Sequence, residues 1–345
     1  MIIDSEGRVI GDTVSFDDVL LQPKYSEIES SSQIDISNYL DDYTFLSLPV
    51  LSSPMDTVTE TDMATAISSS GGLGVIHRYN TIEEQVELAK KVKGHVACAV
   101  GVTGDYEARA ASLVEAGCRI LCLDVAHGHH ALVRKALSTL RKAFDYKTHK
   151  VHLMAGNVAT LEAFNDLADW GADSIRVGIG GGSICSTRLN TGHGVPTYQS
   201  VVDCARSDRD AKLIADGGIK NAGDIVKALA AGADFVMLGS MLAGTDESPG
   251  ETFTSENKKY KVYRGMASRS AQMEWRGKSS SPEGVSTTIP HKGSVVDILQ
   301  DITGNIKSGF SYTGATSLEI LQSKATFIKQ THAGQLESSN HILRR

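Results

Sequence analysis

From residue 46 onward, short apolar runs alternate with segments of helical spacing. Eight such runs stand out: Leu48-Pro49-Val50-Leu51-Ser52, Gly74-Val75-Ile76-His77, Val96-Ala97-Cys98-Ala99-Val100, Ile120-Leu121-Cys122-Leu123-Asp124, Val151-His152-Leu153-Met154-Ala155, Ser174-Ile175-Arg176-Val177, Lys212-Leu213-Ile214-Ala215-Asp216 and Phe235-Val236-Met237-Leu238. Runs this short and apolar on both faces suit parallel strands, and eight of them separated by helices close into a (β/α)8 TIM barrel. Three helical segments end in one recurring phrase: Glu115-Ala116-Gly117-Cys118, Asp169-Trp170-Gly171-Ala172-Asp173 and Ala230-Ala231-Gly232-Ala233-Asp234. Each glycine suits the C′ position that releases a helix into the next strand, so the phrase reads as an internal repeat of the βα unit.

After residue 244 the repeat stops. Thr245 to Glu256 is polar, and Trp275 to Pro290 carries Ser279, Ser280, Ser281 and Ser286 together with Gly277, Pro282 and Gly284. Such a stretch is too polar for core and is expected to form a mobile C-terminal flap over the barrel mouth, about 267–290. Residues 294 to 307 return to helical spacing, while 335 to 345 read as a frayed tail or a contact for a neighbouring subunit. The whole of 1–345 is expected to be a single barrel domain. No inserted regulatory domain is expected, since Lys90-Lys91-Val92-Lys93-Gly94 runs straight into the third strand.

Composition narrows the class of partner. The 345 residues are 41% hydrophobic and 22% charged, with a net charge of −7. That balance gives no electrostatic footprint for nucleic acid, although a local basic pocket for a phosphorylated metabolite is compatible with it. Five cysteines without regular spacing suit a reducing cytoplasm. No run approaches the roughly 18 apolar residues of a membrane span, and Met1-Ile2-Ile3-Asp4-Ser5-Glu6 lacks the pattern of an export signal.

In a barrel of this kind the chemistry sits at the C-terminal ends of the strands. The first strand runs into Ser52-Ser53-Pro54-Met55-Asp56, the fourth ends at Asp124, the fifth leads to Gly156-Asn157, the seventh to Asp216-Gly217-Gly218 and the eighth to Gly239-Ser240. Loops seven and eight are where phosphate is often held, through backbone N–H groups. The sixth strand opens into Gly178-Ile179-Gly180-Gly181-Gly182-Ser183-Ile184-Cys185-Ser186-Thr187-Arg188, where glycines allow close main-chain approach and Cys185 stands at the far end. Two readings are open for Cys185: a thiolate nucleophile flanked by hydroxyls, or an ordinary cysteine on a glycine turn. The stretch contains neither GxxxxGK[ST] nor GxGxxG. His127-Gly128-His129-His130 lacks partner spacing for a metal, and Cys98, Cys118, Cys122 and Cys204 read as buried thiols.

These motifs resemble the IMP dehydrogenase and GMP reductase family over nearly the whole chain. The match rests on Ser15-Phe16-Asp17-Asp18-Val19-Leu20-Leu21, Ser52 to Thr59, Gly178 to Arg188, Ala215 to Ile219, Gly239 to Gly244 and Tyr263-Arg264-Gly265-Met266. The resemblance implies a cytoplasmic homotetramer acting on GMP or IMP, with Cys185 attacking the purine C2 and Thr187 and Glu283 sharing a proton relay. By likeness Asp216 holds the ribose, Gly218, Gly239, Ser240 and Tyr263 hold the 5′-phosphate, and Met266 and Glu283 meet the purine. Ser53, Met55, Ser183, Gly217, Gly265, Ala267 and Gly284 complete the implied substrate site. Asp124, Asn157 and Arg78 would face a nicotinamide cofactor. Gly180, Gly182 and Cys185 would offer carbonyls to potassium, with Glu337, Ser338 and Ser339 of a neighbour completing the shell. Within the family, the flap of dehydrogenases carries an Arg-Tyr pair that activates water, and none lies between Met266 and Glu283. Thr191-Gly192 resembles the reductases, whereas Pro282-Glu283-Gly284-Val285 and Ala333 to Ser339 resemble the dehydrogenases. The likeness points first to a GMP reductase using NADPH, and second to an IMP dehydrogenase without its regulatory domain. The chain departs from the family pattern at Gly181, where proline is usual, at Ser186 and at Thr197.

Overall fold

The computed structural model describes residues 2–3, 9–279 and 281–338. Eight parallel strands form a closed barrel: β1 (Val50–Ser52), β2 (Leu73–Ile76), β3 (Val96–Val100), β4 (Ile120–Asp124), β5 (His152–Val158), β6 (Ser174–Val177), β7 (Lys212–Asp216) and β8 (Phe235–Leu238). Closure is made where β8 pairs with β1, setting Val236 beside Val50 and Leu238 beside Ser52. Five strands coincide with the expected runs. β1 begins two residues late because Leu48 and Pro49 lead in as an irregular turn, with Val50 N–H donating to Leu48 O.

Alternating strand side chains build two cores. Inside the barrel lie Leu51, Leu73, Val75, Ala97, Ile120, Cys122, Met154, Ile214, Phe235 and Met237, closed from below by Leu40 and Leu46. These two leucines come from a hairpin, Asn38–Asp41 with Thr44–Leu46, that plugs the barrel floor. Outward residues such as Val50, Leu121, Leu153, Ile175, Leu213 and Val236 pack under the surrounding helices. Gly117, Gly171 and Gly232 have φ of 99°, 104° and 113°, one residue past the helix C-cap in each case, as their recurring phrase requires.

The floor hairpin is pinned by a buried polar chain. Asp41 Oδ2 lies 2.9 Å from His152 Nδ1, and His152 Nε2 lies 2.8 Å from Ser174 Oγ. His152 and Ser174 are fully buried, so the group joins hairpin, β5 and β6 rather than facing solvent.

The C-terminal region is more regular than its polarity implies. β9 (Phe253–Ser255), β10 (Lys258–Arg264) and β11 (Ser286–Pro290) form an antiparallel sheet. A helix spans Arg269–Arg276, capped by the Ser268 side chain on Ala271 N–H. Its residues Ala271 and Gln272 are buried, together with Ser268. Polar strands of this kind escape a hydropathy reading because their pairing, not their burial, holds them. Arg264 anchors the flap helix to the barrel, with Nε donating to Asp56 Oδ2 at 3.0 Å and Nη1 to Glu274 Oε2 at 2.6 Å. Beyond the flap a helix covers Val295–Thr313, longer than the periodicity indicated, and a short one covers His332–Glu337. Ser280, Ser339 and the rest of the tail lie outside the described residues.

Candidate active site

A cavity of about 580 Å³ opens at the C-terminal ends of the strands. All the residues assigned above to catalysis, substrate or cofactor line it, from Ser53 and Met55 after β1 to Glu283 and Gly284 on the flap. Gly180 and Gly182 line it too, whereas Glu337 and Ser338, in the C-terminal segment, do not.

The glycine loop is shaped by what lies next to it. Gly178 has φ 145°, and a Cβ there would fall 2.0 Å from Asp216 O, so the chain leaves β6 in direct contact with the end of β7. Gly180, at φ 78°, lies under the Arg188 side chain, whose Nη2 donates to Val195 O at 2.7 Å. Gly181 and Thr197, two of the departures from the family pattern, touch: a Cβ at Gly181 would stand 2.4 Å from Thr197 Oγ1.

Cys185 is half-buried, and the other four cysteines are buried. Burial pushes the Cys204 thiol up to about 12 and the Cys122 thiol to about 11, which makes both poor nucleophiles. Cys185 Sγ lies 3.2 Å from Thr187 Oγ1, and the Thr187 hydroxyl donates to Glu283 Oε2 at 2.7 Å. Main-chain pairing brings the flap to the loop, since Ser186 N–H donates to Glu283 O at 2.9 Å and Val285 N–H to Ile184 O at 3.0 Å. The result is a thiol, a hydroxyl and a carboxylate in one hydrogen-bonded line, able to pass a proton to or from a group bonded at sulfur.

At the other end, Gly217 and Gly218 adopt φ of 87° and 76°, and a Cβ at Gly239 would meet Tyr263 Oη, Met55 Sδ and Ser53 Oγ within 3.3–3.4 Å. Bare main chain and hydroxyls at such a spot suit an anion. Burial raises the Tyr263 phenol above its ordinary value, outweighing the Ser183 hydrogen bond, so the hydroxyl stays a donor.

Arg176 is the residue that sequence reasoning missed. It is buried beneath the cavity, with Nη1 2.6 Å from Asp124 Oδ1 and Nη2 2.9 Å from Asp216 Oδ2. Asn157 Nδ2 also donates to Asp216 Oδ2, at 2.7 Å. Burial works against the guanidinium charge, but the two carboxylates hold its pKa well above the ordinary value. The available signal was an arginine within Ser174-Ile175-Arg176-Val177, a run buried on both faces, where a charge must find partners. Tyr79 and Gln272 also line the cavity and were not singled out; Tyr79 packs against Trp275 of the flap at 6.0 Å between ring centroids. His129 and His130 have structural roles, pairing with Asp166 and capping the helix Ala131–Ala143 respectively.

Residues 13–341 match the family described as IMP dehydrogenase / GMP reductase domain. Inosine-5′-monophosphate dehydrogenase of Nitrosopumilus maritimus is 33% identical, over 95% of this chain and 98% of that protein. GMP reductase of Leishmania major is 32% identical, over 95% of this chain and 96% of that protein. A solved structure of a cysteine-to-alanine variant of Trypanosoma brucei GMP reductase, in complex with guanosine 5′-monophosphate, superposes with a TM-score of 0.92 at 30% identity, covering 98% of this chain and 99% of that one.

Proposed function

Since the chain belongs to the IMP dehydrogenase / GMP reductase family of oxidoreductases, we propose that it is a GMP reductase, converting GMP and NADPH with two protons into IMP, NADP⁺ and ammonium. The observation that carries this reading is the Cys185–Thr187–Glu283 line together with a flap, residues 267–290, that contains no tyrosine. A covalent purine on Cys185 can be released by water or by hydride, and release by water needs a base within reach of the attacking oxygen. The flap carries no Arg-Tyr pair to play that part, whereas an acid to assist a departing amine is present in Glu283.

In this mechanism the Cys185 thiolate adds to C2 of GMP, and the electron pair moves onto the ring nitrogen. Glu283, through Thr187, delivers the proton with which the 2-amino group leaves as ammonia. A reduced nicotinamide, when bound, would supply the hydride that C2 needs, and Cys185 would then leave as the thiolate with release of IMP. Asp216, held by Arg176 and Asn157, is positioned for the ribose hydroxyls, while Ser183, Gly218, Gly239, Ser240 and Tyr263 hold the 5′-phosphate. Arg78, Asp124 and Asn157 would hold the cofactor. The fit is supported by Arg78 Nε, a buried nitrogen without a hydrogen-bond partner among the described residues and 4.0 Å from Asp124 Oδ2, at the same cavity wall. Potassium on the carbonyls of Gly180, Gly182 and Cys185, completed by a neighbour's Glu337 to Ser339 in a cytoplasmic homotetramer, belongs to the same proposal. No helix among the described residues is long and apolar enough to cross a membrane.

The second reading, an IMP dehydrogenase making XMP with NAD, is favoured by the Nitrosopumilus relative. Chain length does not separate the two. The alignments with that dehydrogenase and with the Leishmania reductase run over 469 and 476 positions against 345 residues here, so both relatives carry segments without a counterpart. Absorbance of reduced nicotinamide decides: GMP with NADPH should bleach it, and IMP with NAD should produce little. Steady formation of XMP at a comparable rate would overturn the reductase assignment.

A further inference from the structure

Thr197 opens the helix Thr197–Cys204 and is only 4% exposed. Its Oγ1 has no hydrogen-bond partner among the described residues, which is costly for a buried hydroxyl and calls for a reason. The atom is wedged between the two loops that matter most. A Cβ built on Gly181 would lie 2.4 Å from it, and one built on Gly218 would lie 3.4 Å from it and 3.5 Å from Gly181 O. Gly181 belongs to the loop that ends at Cys185, and Gly218, at φ 76°, belongs to the loop after β7. The hydroxyl therefore sits at the seam between the reactive-thiol loop and the loop assigned to phosphate, beside a glycine of each.

We infer that Thr197 is a positioning residue that couples occupancy of the phosphate end to the placement of the Cys185 loop. The inference rests on the nucleotide reading above. An anion held by the main chain at Gly217 and Gly218 draws those groups toward itself, and Oγ1 then makes its hydrogen bond with Gly181 O or Gly218 N–H. Oγ1 gains its partner as the phosphate end is filled, and the loop bearing Cys185 moves as the bond is made. A hydroxyl satisfied only in the bound form adds to nucleotide affinity and not to the stability of the free protein, which separates this role from a merely structural one.

The test uses the full chain and ribose 5-phosphate, which has the phosphate end of the nucleotide and no purine to cover the thiol. Alkylation of Cys185 by iodoacetamide is followed with and without it. The rate in the wild type should change severalfold on adding ribose 5-phosphate, and the change should vanish in Thr197→Val and return in Thr197→Ser. GMP should bind Thr197→Val about threefold to tenfold more weakly, the usual worth of one hydrogen bond, with the thermal midpoint of the free protein unchanged or raised. Ser200→Ala is the comparison, because Ser200 Oγ is also buried without a partner but lines neither this cavity nor the one behind the phosphate loops. An equal ribose 5-phosphate response in wild type and Thr197→Val would overturn the inference. So would a lowered midpoint in the free Thr197→Val protein with GMP affinity intact, or failure of both Thr197→Val and Thr197→Ala to fold. A wild type that binds GMP but whose Cys185 ignores ribose 5-phosphate would overturn it alone. One that binds neither GMP nor IMP would overturn the nucleotide reading as well.

Discussion

At the scale of the residue, Cys185 is distinguished from four other cysteines by where it stands rather than by what it is. Cys98, Cys118, Cys122 and Cys204 are packed in core, and Cys185 alone lines the cavity with a hydroxyl and a carboxylate in line behind it. Replacement of Cys185 by alanine should leave nucleotide binding within a few-fold and remove turnover; appreciable activity in that variant would exclude a covalent route. Glu283→Gln keeps the shape of the line and cannot donate the proton, so kcat for GMP should fall by about 10²–10⁴, the usual worth of a positioned acid. Alkylation of Cys185 in this variant checks that the thiol is still presented. A loss confined to KM would show that Glu283 only binds purine.

Elements act here by bringing distant side chains to one place. The floor hairpin and the strands β5 and β6 meet through Asp41, His152 and Ser174, at the barrel end remote from the cavity, where residues serve stability. Burial alone would push the Asp41 carboxyl up. The hydrogen bond from His152, its charge, and hydrogen bonds from Tyr43 N–H and Thr44 outweigh burial and hold it below its ordinary value of 3.8. A carboxylate depressed in the folded state contributes stability above its unfolded pKa, and that share is lost as pH falls below about 4. His152→Ala strands two buried polar groups and leaves a cavity, so it should cost about 2–4 kcal/mol by urea unfolding at neutral pH. The acid-side slope of stability should flatten in that variant. Nucleotide affinity at the opposite end should hardly change. The flap shows the same principle, since Glu283 is brought to Thr187 by main-chain hydrogen bonds from Ser186 N–H to Glu283 O and from Val285 N–H to Ile184 O.

For the whole molecule, the barrel separates a floor that stabilises from a mouth that holds the cavity, and the mouth is lined from seven of the eight strand ends, β3 excepted, plus the flap. The potassium proposal belongs to this scale because part of its cage would come from another copy of the chain. If the cage forms, replacing potassium by tetramethylammonium at constant ionic strength should lower GMP reduction at least tenfold, while a single-turnover mixture at high protein concentration recovers with added potassium. Activity indifferent to that exchange would remove the cation. Arg188, already braced against Gly180 with its guanidinium on Val195 O, would then be the group that holds the loop.

Much of this was written in local pattern. Buried strands must be continuously apolar, and a helix that turns sharply into a strand needs glycine at its C′ position, so eight strands and a repeat are legible at close range. The Cys185 loop was legible for the same reason, as consecutive glycines have few other uses. Tertiary structure decided what depends on residues far apart in sequence. Arg176 looks like a misplaced charge until Asp124 and Asp216, 52 and 40 residues away, arrive on either side of it. The polar flap strands look like disorder until β10 offers them an edge, and Thr187 meets Glu283 across 96 residues. Periodicity records which side a residue faces, because that is a local property of the backbone. Which partner waits on that side is fixed only when the barrel closes.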